Sequence, residues 1–207
     1  MISNNDLIKH LINTEVLYSN NLIEAFKKID RINFVYKQSD REVYADHPLS
    51  IGRGQTISQP TTVAMMMEML APKQGEKILD IGSGSGWTTA LLAYIVGDEG
   101  FVIGLERVNE LVKFGSSNLE KYRFKNAKII QSGDTLGLRG EKFDRILVSA
   151  AADEFPYELT AQLNPGGKLV IPVRNSIFEI TKKDDDTFDS VEHYGFTFVP
   201  LIYPKHI

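Results

Sequence analysis

Between Lys77 and Val96 the chain reads KILDI, then GSGSG, then WTTALLAYIV. A short apolar run, a glycine-rich turn and a longer apolar run predict a buried strand, a tight bend and a helix. The alternation continues downstream. FVIGLE is a second strand, followed by a helix over residues 109–122, then AKIIQ as a third strand and FDRILVSA as a fourth. A short helix over Pro156 to Leu163 precedes GGKLVIPV, the fifth strand. Strand and helix in repeated succession imply an α/β fold with a doubly wound, mostly parallel sheet covered on both faces. IFEITKK and FDSVEHYGFTFVPLI then read as antiparallel strands at the sheet edge, with Asp184, Asp185 and Asp186 as a solvated hairpin turn.

Ahead of this core, Leu7, Ile8, Leu11 and Ile12 recur at helical spacing, as do Leu22, Ile23, Phe26 and Ile29. Phe34 to Ser58 reads as a long irregular stretch, mixed in composition and therefore functional, not disordered. Pro60 suits the start of a further helix with Val63, Met66, Met67 and Leu70 on its apolar face, and the run Met65–Met67 reads as core packing. No repeat or linker divides the chain. The expectation is one domain over 1–207, with a helical extension and active-site loop in 1–58 and the ligand-binding core in 59–207.

Composition narrows the functions available. With 207 residues, 43% of them hydrophobic, the chain can bury a core without covalent staples. It has no cysteine, which excludes disulfides and thiolate chemistry and suits a cytoplasmic setting. A net charge of −4 offers no footprint for nucleic acid or anionic membranes. No apolar run approaches the roughly 20 residues of a membrane span, and the N-terminus does not read as a signal peptide.

The glycines in Asp80-Ile81-Gly82-Ser83-Gly84-Ser85-Gly86 alternate as GxGxG, unlike the GxGxxG of dinucleotide sites. Asp80 at the strand tip would repel a pyrophosphate but favour a cation. S-adenosyl-L-methionine carries a sulfonium and an ammonium and no phosphate. Glu106, at the tip of the second strand, can accept hydrogen bonds from both ribose hydroxyls, and Asp134, after the third, from an adenine amino group. The three acids and the glycine turn are expected to share one crevice at the sheet's switch point. No Walker lysine or GxSxG elbow is present, and His10, His47, His193 and His206 show no metal-ligand spacing, so no metal is expected.

The segment Tyr44-Ala45-Asp46-His47-Pro48-Leu49-Ser50-Ile51-Gly52-Arg53-Gly54-Gln55-Thr56-Ile57-Ser58-Gln59-Pro60 resembles a signature of the protein-L-isoaspartate O-methyltransferases, its GQTISQP core being the most specific part. The resemblance continues through RINFV, ILDIGSGSGW, VIGLER, SGD, FDRILVSAA and LNPGGKLVIPV, roughly Arg31 to Val173. It implies a Rossmann-like methyltransferase fold and transfer of a methyl group to the free carboxylate of L-isoaspartyl residues in damaged proteins and peptides. It implies Ser58 as the active-site serine, Gln55, Thr56 and Ile57 on a loop over substrate, and Asp80, Gly82, Ser83, Gly84, Glu106, Arg107 and Asp134 around the cofactor. The strand end at Val173 falls where backbone groups pair with an extended peptide. The family often has glycine next; here Arg174 would narrow the peptide channel or pair with a substrate carboxylate. Asp80 for a common glutamate, Trp87 for a common tyrosine, and Asp30 where proline is common are lesser departures.

The implied chemistry needs no general base, because a carboxylate is already ionised at neutral pH. Alignment and exclusion of water suffice. Ser58 would then donate a hydrogen bond that fixes the reacting groups, while spacing alone also allows it as the N-cap of the helix at Pro60. Amide or adenine methylation goes with a D/N-P-P-Y loop after the fourth strand, where this chain has the small run Ser149 to Ala152. The alternatives weighed against repair are another carboxylate or peptide acceptor, a non-catalytic cofactor-binding adaptor, and a nicotinamide dehydrogenase. A monomer is expected.

Overall fold

The computed structural model describes residues 1–36 and 40–202; His206 lies outside them. Helices α1 (Asn4–Asn13) and α2 (Asn20–Lys28) lead into a 3-10 turn (Arg31–Phe34) and the short α3 (Asp40–Val43). The stretch expected to be irregular contains a hairpin of β1 (Leu49–Gly52) and β2 (Gln55–Ile57), paired Leu49 to Ile57 and Ser50 to Thr56. Its turn needs left-handed backbone at Gly52, Arg53 and Gly54 (φ 83°, 55° and 71°), which two glycines make accessible. Helix α4 (Pro60–Leu70) begins on its proline and buries Val63, Met66, Met67 and Leu70.

The predicted core strands follow as β3 (Lys77–Ile81), β4 (Phe101–Glu106), β5 (Ala127–Gln131), β6 (Phe143–Val148) and β7 (Leu163–Val173), with α5 (Trp87–Val96), α6 (Asn109–Glu120) and α7 (Tyr157–Thr160) between them. Strands β8 (Ser176–Lys182) and β9 (Phe188–Tyr194) complete a seven-stranded sheet in the order β5-β4-β3-β6-β7-β8-β9. The first five in sequence are mutually parallel and the last two antiparallel. The acidic triplet forms the exposed β8–β9 turn, as expected. Beyond Tyr194 the strand expectation fails: the chain leaves the edge and returns across the molecule, with Pro200 bridging Ala151.

Successive strand residues face opposite layers. Ile78, Val102, Leu147 and Val170 pack with α1, α2, α4, α5 and α6; Leu79, Ile103, Ile146 and Leu169 join Phe143, Leu159 and Leu163 on the other side. Both faces are covered, but among the described residues the second carries only α7 and loops. The chain winds from β3 out to β5, then crosses back to β6, so β3 and β6 lie side by side at the reversal. In an open parallel sheet a crevice forms beyond the strand ends there.

Candidate active site

The glycine turn leaves β3 at that reversal. Gly82, Gly84 and Gly86 all hold left-handed backbone (φ 78°, 52° and 86°). The amides of Gly82 and Ser83 donate to the Leu105 carbonyl at 2.8 and 3.0 Å, which ties the turn to β4. A Cβ on Gly86 would lie 2.9 Å from Ile129 Cδ1 and 3.1 Å from the Gly115 carbonyl oxygen, so only glycine lets the turn settle on α6.

The three acids are placed differently from one another. Asp80 is fully buried behind the turn. Its Oδ2 accepts from Thr88 Oγ1 at 2.7 Å and Thr89 Oγ1 at 2.6 Å, while Oδ1 has no partner. Burial pushes its pKa up to about 6 against the pull of those hydroxyls, and the nearby Glu106 carboxylate adds to the rise. Glu106 stands in the crevice wall, with Oε2 accepting from the Gly84 amide (3.0 Å) and Oε1 from the Val108 amide (2.8 Å). Each oxygen keeps a lone pair for a further donor. Asp134 is exposed and opens onto a neighbouring hollow of about 590 Å³ with Arg139, Lys142 and Gln162, reaching the crevice only through Thr135 and Leu136. That roomier hollow has neither the glycine turn nor the serine loop on its walls. Ser83 is buried in the crevice wall, its Oγ without a partner, and Arg107 lines the far half from an exposed position.

The β1–β2 hairpin roofs the crevice. Ile51, Thr56, Ile57 and Ser58 line the half beside the glycine turn, and Gln55 lines both halves. An ion pair of 2.7 Å from Arg53 to Glu110 pins the hairpin tip to α6. Ser58 makes no cap bond to α4. That task falls to Asp46, whose carboxylate accepts from the Thr61 amide (2.9 Å), Thr61 Oγ1 (2.7 Å) and Gln59 Nε2 (3.2 Å). Partial burial raises the Asp46 pKa, but these bonds outweigh it and hold the carboxyl below its ordinary value.

One residue carries the roof, and pattern reading assigned it no role. Arg31 is fully buried, and its guanidinium donates to the carbonyls of Val43 (3.1 Å), Ser58 (2.8 Å) and His47 (3.2 Å). It lies 4.8 Å over the ring of Trp87, the first residue of α5. Burial holds its pKa down to about 9, the Asp46 charge opposing that shift. A single arginine therefore joins the exit of the glycine turn to the serine loop. The sequence signal was the RINFV segment, which carries part of the family resemblance but no stated role for its arginine.

The returning tail forms the remaining wall. The Ala151 amide donates to the Val199 carbonyl (2.8 Å), and the Leu201 amide to the Ala151 carbonyl (2.7 Å). Val199 lines the near half of the crevice; Pro200, Leu201 and Ile202 line the far half. A second hollow of about 430 Å³ opens between roof and tail, bounded by Pro48, Gln59, Thr62 and Thr197 among others, and shares Thr56, Ser58, Ser149 and Val199 with the crevice. Val173 and Arg174 stay apart from these walls. The Pro172 carbonyl and the Arg174 amide are bonded to Ala152, and the exposed Arg174 donates from Nε to the Asp153 carbonyl at 3.0 Å. Arg174 has φ 53° in the β7–β8 turn, a conformation that favours glycine.

The walls suit a nucleoside with a cationic amino-acid end. The Thr88 hydroxyl oxygen stands at the glycine turn, backed by the buried Asp80 carboxylate, and Glu106 stands beside the middle. Among the described residues no group of His, Cys, Asp or Glu side chains could hold a metal ion, and no helix is long and apolar enough to cross a membrane.

The family model described as protein-L-isoaspartate(D-aspartate) O-methyltransferase matches residues 2–205. A protein-L-isoaspartate O-methyltransferase from Methanopyrus kandleri is 41% identical over 202 residues, covering 95% of this chain and 89% of its own. One from Flavobacterium psychrophilum is 44% identical over 193 residues, covering 90% and 88%. A Plasmodium falciparum crystal structure assigned to the same enzyme, in complex with S-adenosyl-L-homocysteine, superimposes with a TM-score of 0.85 at 29% identity and covers 97% of this chain and 98% of its own. Serine loop, glycine turn and sheet order thus occur together in a chain whose whole length matches one family, and the chain belongs to the protein-L-isoaspartate O-methyltransferases.

Proposed function

We infer that this chain transfers a methyl group from S-adenosyl-L-methionine to the free carboxylate of L-isoaspartyl residues, and so repairs damaged proteins and peptides. The observation that carries the reading is the junction of two hollows. The crevice built on the glycine turn and the hollow between roof and tail meet at Thr56, Ser58, Ser149 and Val199. A ligand in each would bring its reacting end to the same four residues.

When bound, the cofactor supplies an electrophilic methyl group on a sulfonium. The chain's own residues supply position and dryness. Glu106 would accept from the ribose hydroxyls, the glycine turn backed by Asp80 would receive the cationic end, and Arg107 and Asp134 would flank the base. Gln55, Thr56 and Ile57 cover the junction. Ser58 would donate one hydrogen bond to the carboxylate of the substrate and hold its attacking oxygen in line. The roof and tail exclude water, which favours a step in which opposite charges are neutralised. In this reading the chain is one catalytic unit, with its helical extension and active-site loop within 1–58 and its cofactor-binding core within 59–207, a monomer working in the cytoplasm. Val173 and Arg174 would at most steer the outer part of a peptide.

The direct test offers labelled S-adenosylmethionine together with an isoaspartyl peptide or its aspartyl twin. Label should enter only the isoaspartyl peptide, as an alkali-labile ester. Equal labelling of both peptides, or base-stable label, would overturn the assignment.

A further inference from the structure

A threonine hydroxyl has one proton to give. Thr88, the second residue of α5, points its hydroxyl at Asp80 Oδ2 from 2.7 Å. That oxygen belongs to a fully buried carboxylate and also receives Thr89 at 2.6 Å, so both hydroxyls act as donors to it. The two threonines differ in what lies on their other side. Thr89 is fully buried, whereas Thr88 is half-buried and lines the crevice with Gly82, Ser83, Gly84 and Ser85. With its proton committed to Asp80, Thr88 turns only lone pairs towards the crevice. Ser83 offers the crevice no hydroxyl: its Oγ is buried, and its Cβ would lie 3.0 Å from a Cβ on Gly104 of β4. An exposed acceptor backed by a negative charge complements the ammonium of an α-amino acid.

We propose that Thr88 accepts a hydrogen bond from the α-ammonium of the methionyl end of S-adenosylmethionine. This rests on the cofactor assignment above. Asp80 then works through Thr88, fixing the direction of its proton. The pair selects nucleosides that carry an amino-acid end over those that do not.

Calorimetry with two nucleosides tests this. S-adenosylhomocysteine has the amino-acid end; 5′-methylthioadenosine lacks it. Thr88→Val, which exchanges the hydroxyl for a methyl, should weaken S-adenosylhomocysteine about tenfold or more, the scale of a hydrogen bond to a charged group. It should leave methylthioadenosine within about twofold of wild type, on the same reasoning. Thr88→Ser should restore the difference. Thr88→Ala should show the same selective loss and serves if Thr88→Val fails to fold. Unchanged S-adenosylhomocysteine affinity, or an equal loss for both nucleosides, overturns the role of Thr88. Failure of the wild-type chain to bind either nucleoside overturns the cofactor reading instead, so the two failures are told apart.

Discussion

Replacing Arg31 by methionine keeps an unbranched apolar stem and removes the guanidinium donors that hold the carbonyls of Val43, His47 and Ser58. A buried carbonyl left without a donor costs roughly 1–3 kcal/mol; the bond to Val43 is buried and the other two are half-buried, so the gross loss falls in the lower half of about 3–9 kcal/mol. Against this stands the cost of keeping a cation in a dry place. A pKa held down from 12.5 to about 9 corresponds to roughly 5 kcal/mol, and methionine does not incur it. The net change in global stability is therefore small, on the order of 2 kcal/mol, well below the gross loss. The effect on the site is not offset in this way. The three carbonyls can regain partners only by turning to water, and that opens the loop carrying Ser58. Arg31→Met should therefore lower kcat/KM for an isoaspartyl peptide by about 10²-fold or more, the scale of a mispositioned reacting group. S-adenosylhomocysteine affinity should change far less. Arg31→Lys keeps the charge but not the fork that reaches three acceptors, and should fall between. Denaturant unfolding, peptide kinetics and calorimetry on one preparation decide the matter. Full turnover in a destabilised Arg31→Met protein would refute the link between this arginine and Ser58.

Three further outcomes are expected. Glu106→Ala should weaken S-adenosylhomocysteine by about 1.5–3 kcal/mol in calorimetry, since the ribose loses a charged acceptor. The folded-state pKa of Asp80 lies above its unfolded value of 3.8, so its ionisation opposes folding above pH 6 and that penalty is relieved as pH falls from 6 towards 4. Asp80→Asn should therefore stabilise the ligand-free protein at pH 7 by up to about 3 kcal/mol, while S-adenosylmethionine affinity, which should fall below about pH 6 in the wild type, becomes weaker and flat with pH. Ser58→Ala should cut turnover by about 10²–10³ with an unchanged melting temperature, whereas Asp46→Ala should lower stability by about 1 kcal/mol, because Asp46 and not Ser58 caps α4.

The parts of this fold legible in the sequence are those with local causes. The five parallel strands, the glycine turn and α4 were readable because apolar period, glycine and proline act over a few residues. What escaped depends on contacts between distant segments. Strands β1 and β2 are too short to show alternation, and their turn looked like loop chemistry. Asp46 caps a helix that starts 14 residues later, so no capping pattern reveals it. Arg31 finds carbonyl partners in place of a carboxylate, which no charge pattern shows. Asp134 was expected beside Glu106; it borders the neighbouring hollow, and Thr135 and Leu136 after it line the crevice. Arg174, expected in the peptide channel, shapes a hairpin turn. The tail read as a strand to its end because FTFVPLI is apolar enough for one; its backbone finds partners on Ala151 instead.

That tail imposes an order of events during synthesis. Residues 1–194 contain the whole sheet, the glycine turn, the roof and Ser58, yet Val199 and Leu201 still have to reach Ala151 before the crevice has its last wall. A nascent chain can therefore be folded in its core while its site stands open to water on one side. Competence arrives as a late step, and with it Phe196 and Phe198 add the tail's own packing against the core. A chain stalled or clipped before residue 199 would keep its sheet and helices and fail at the chemistry.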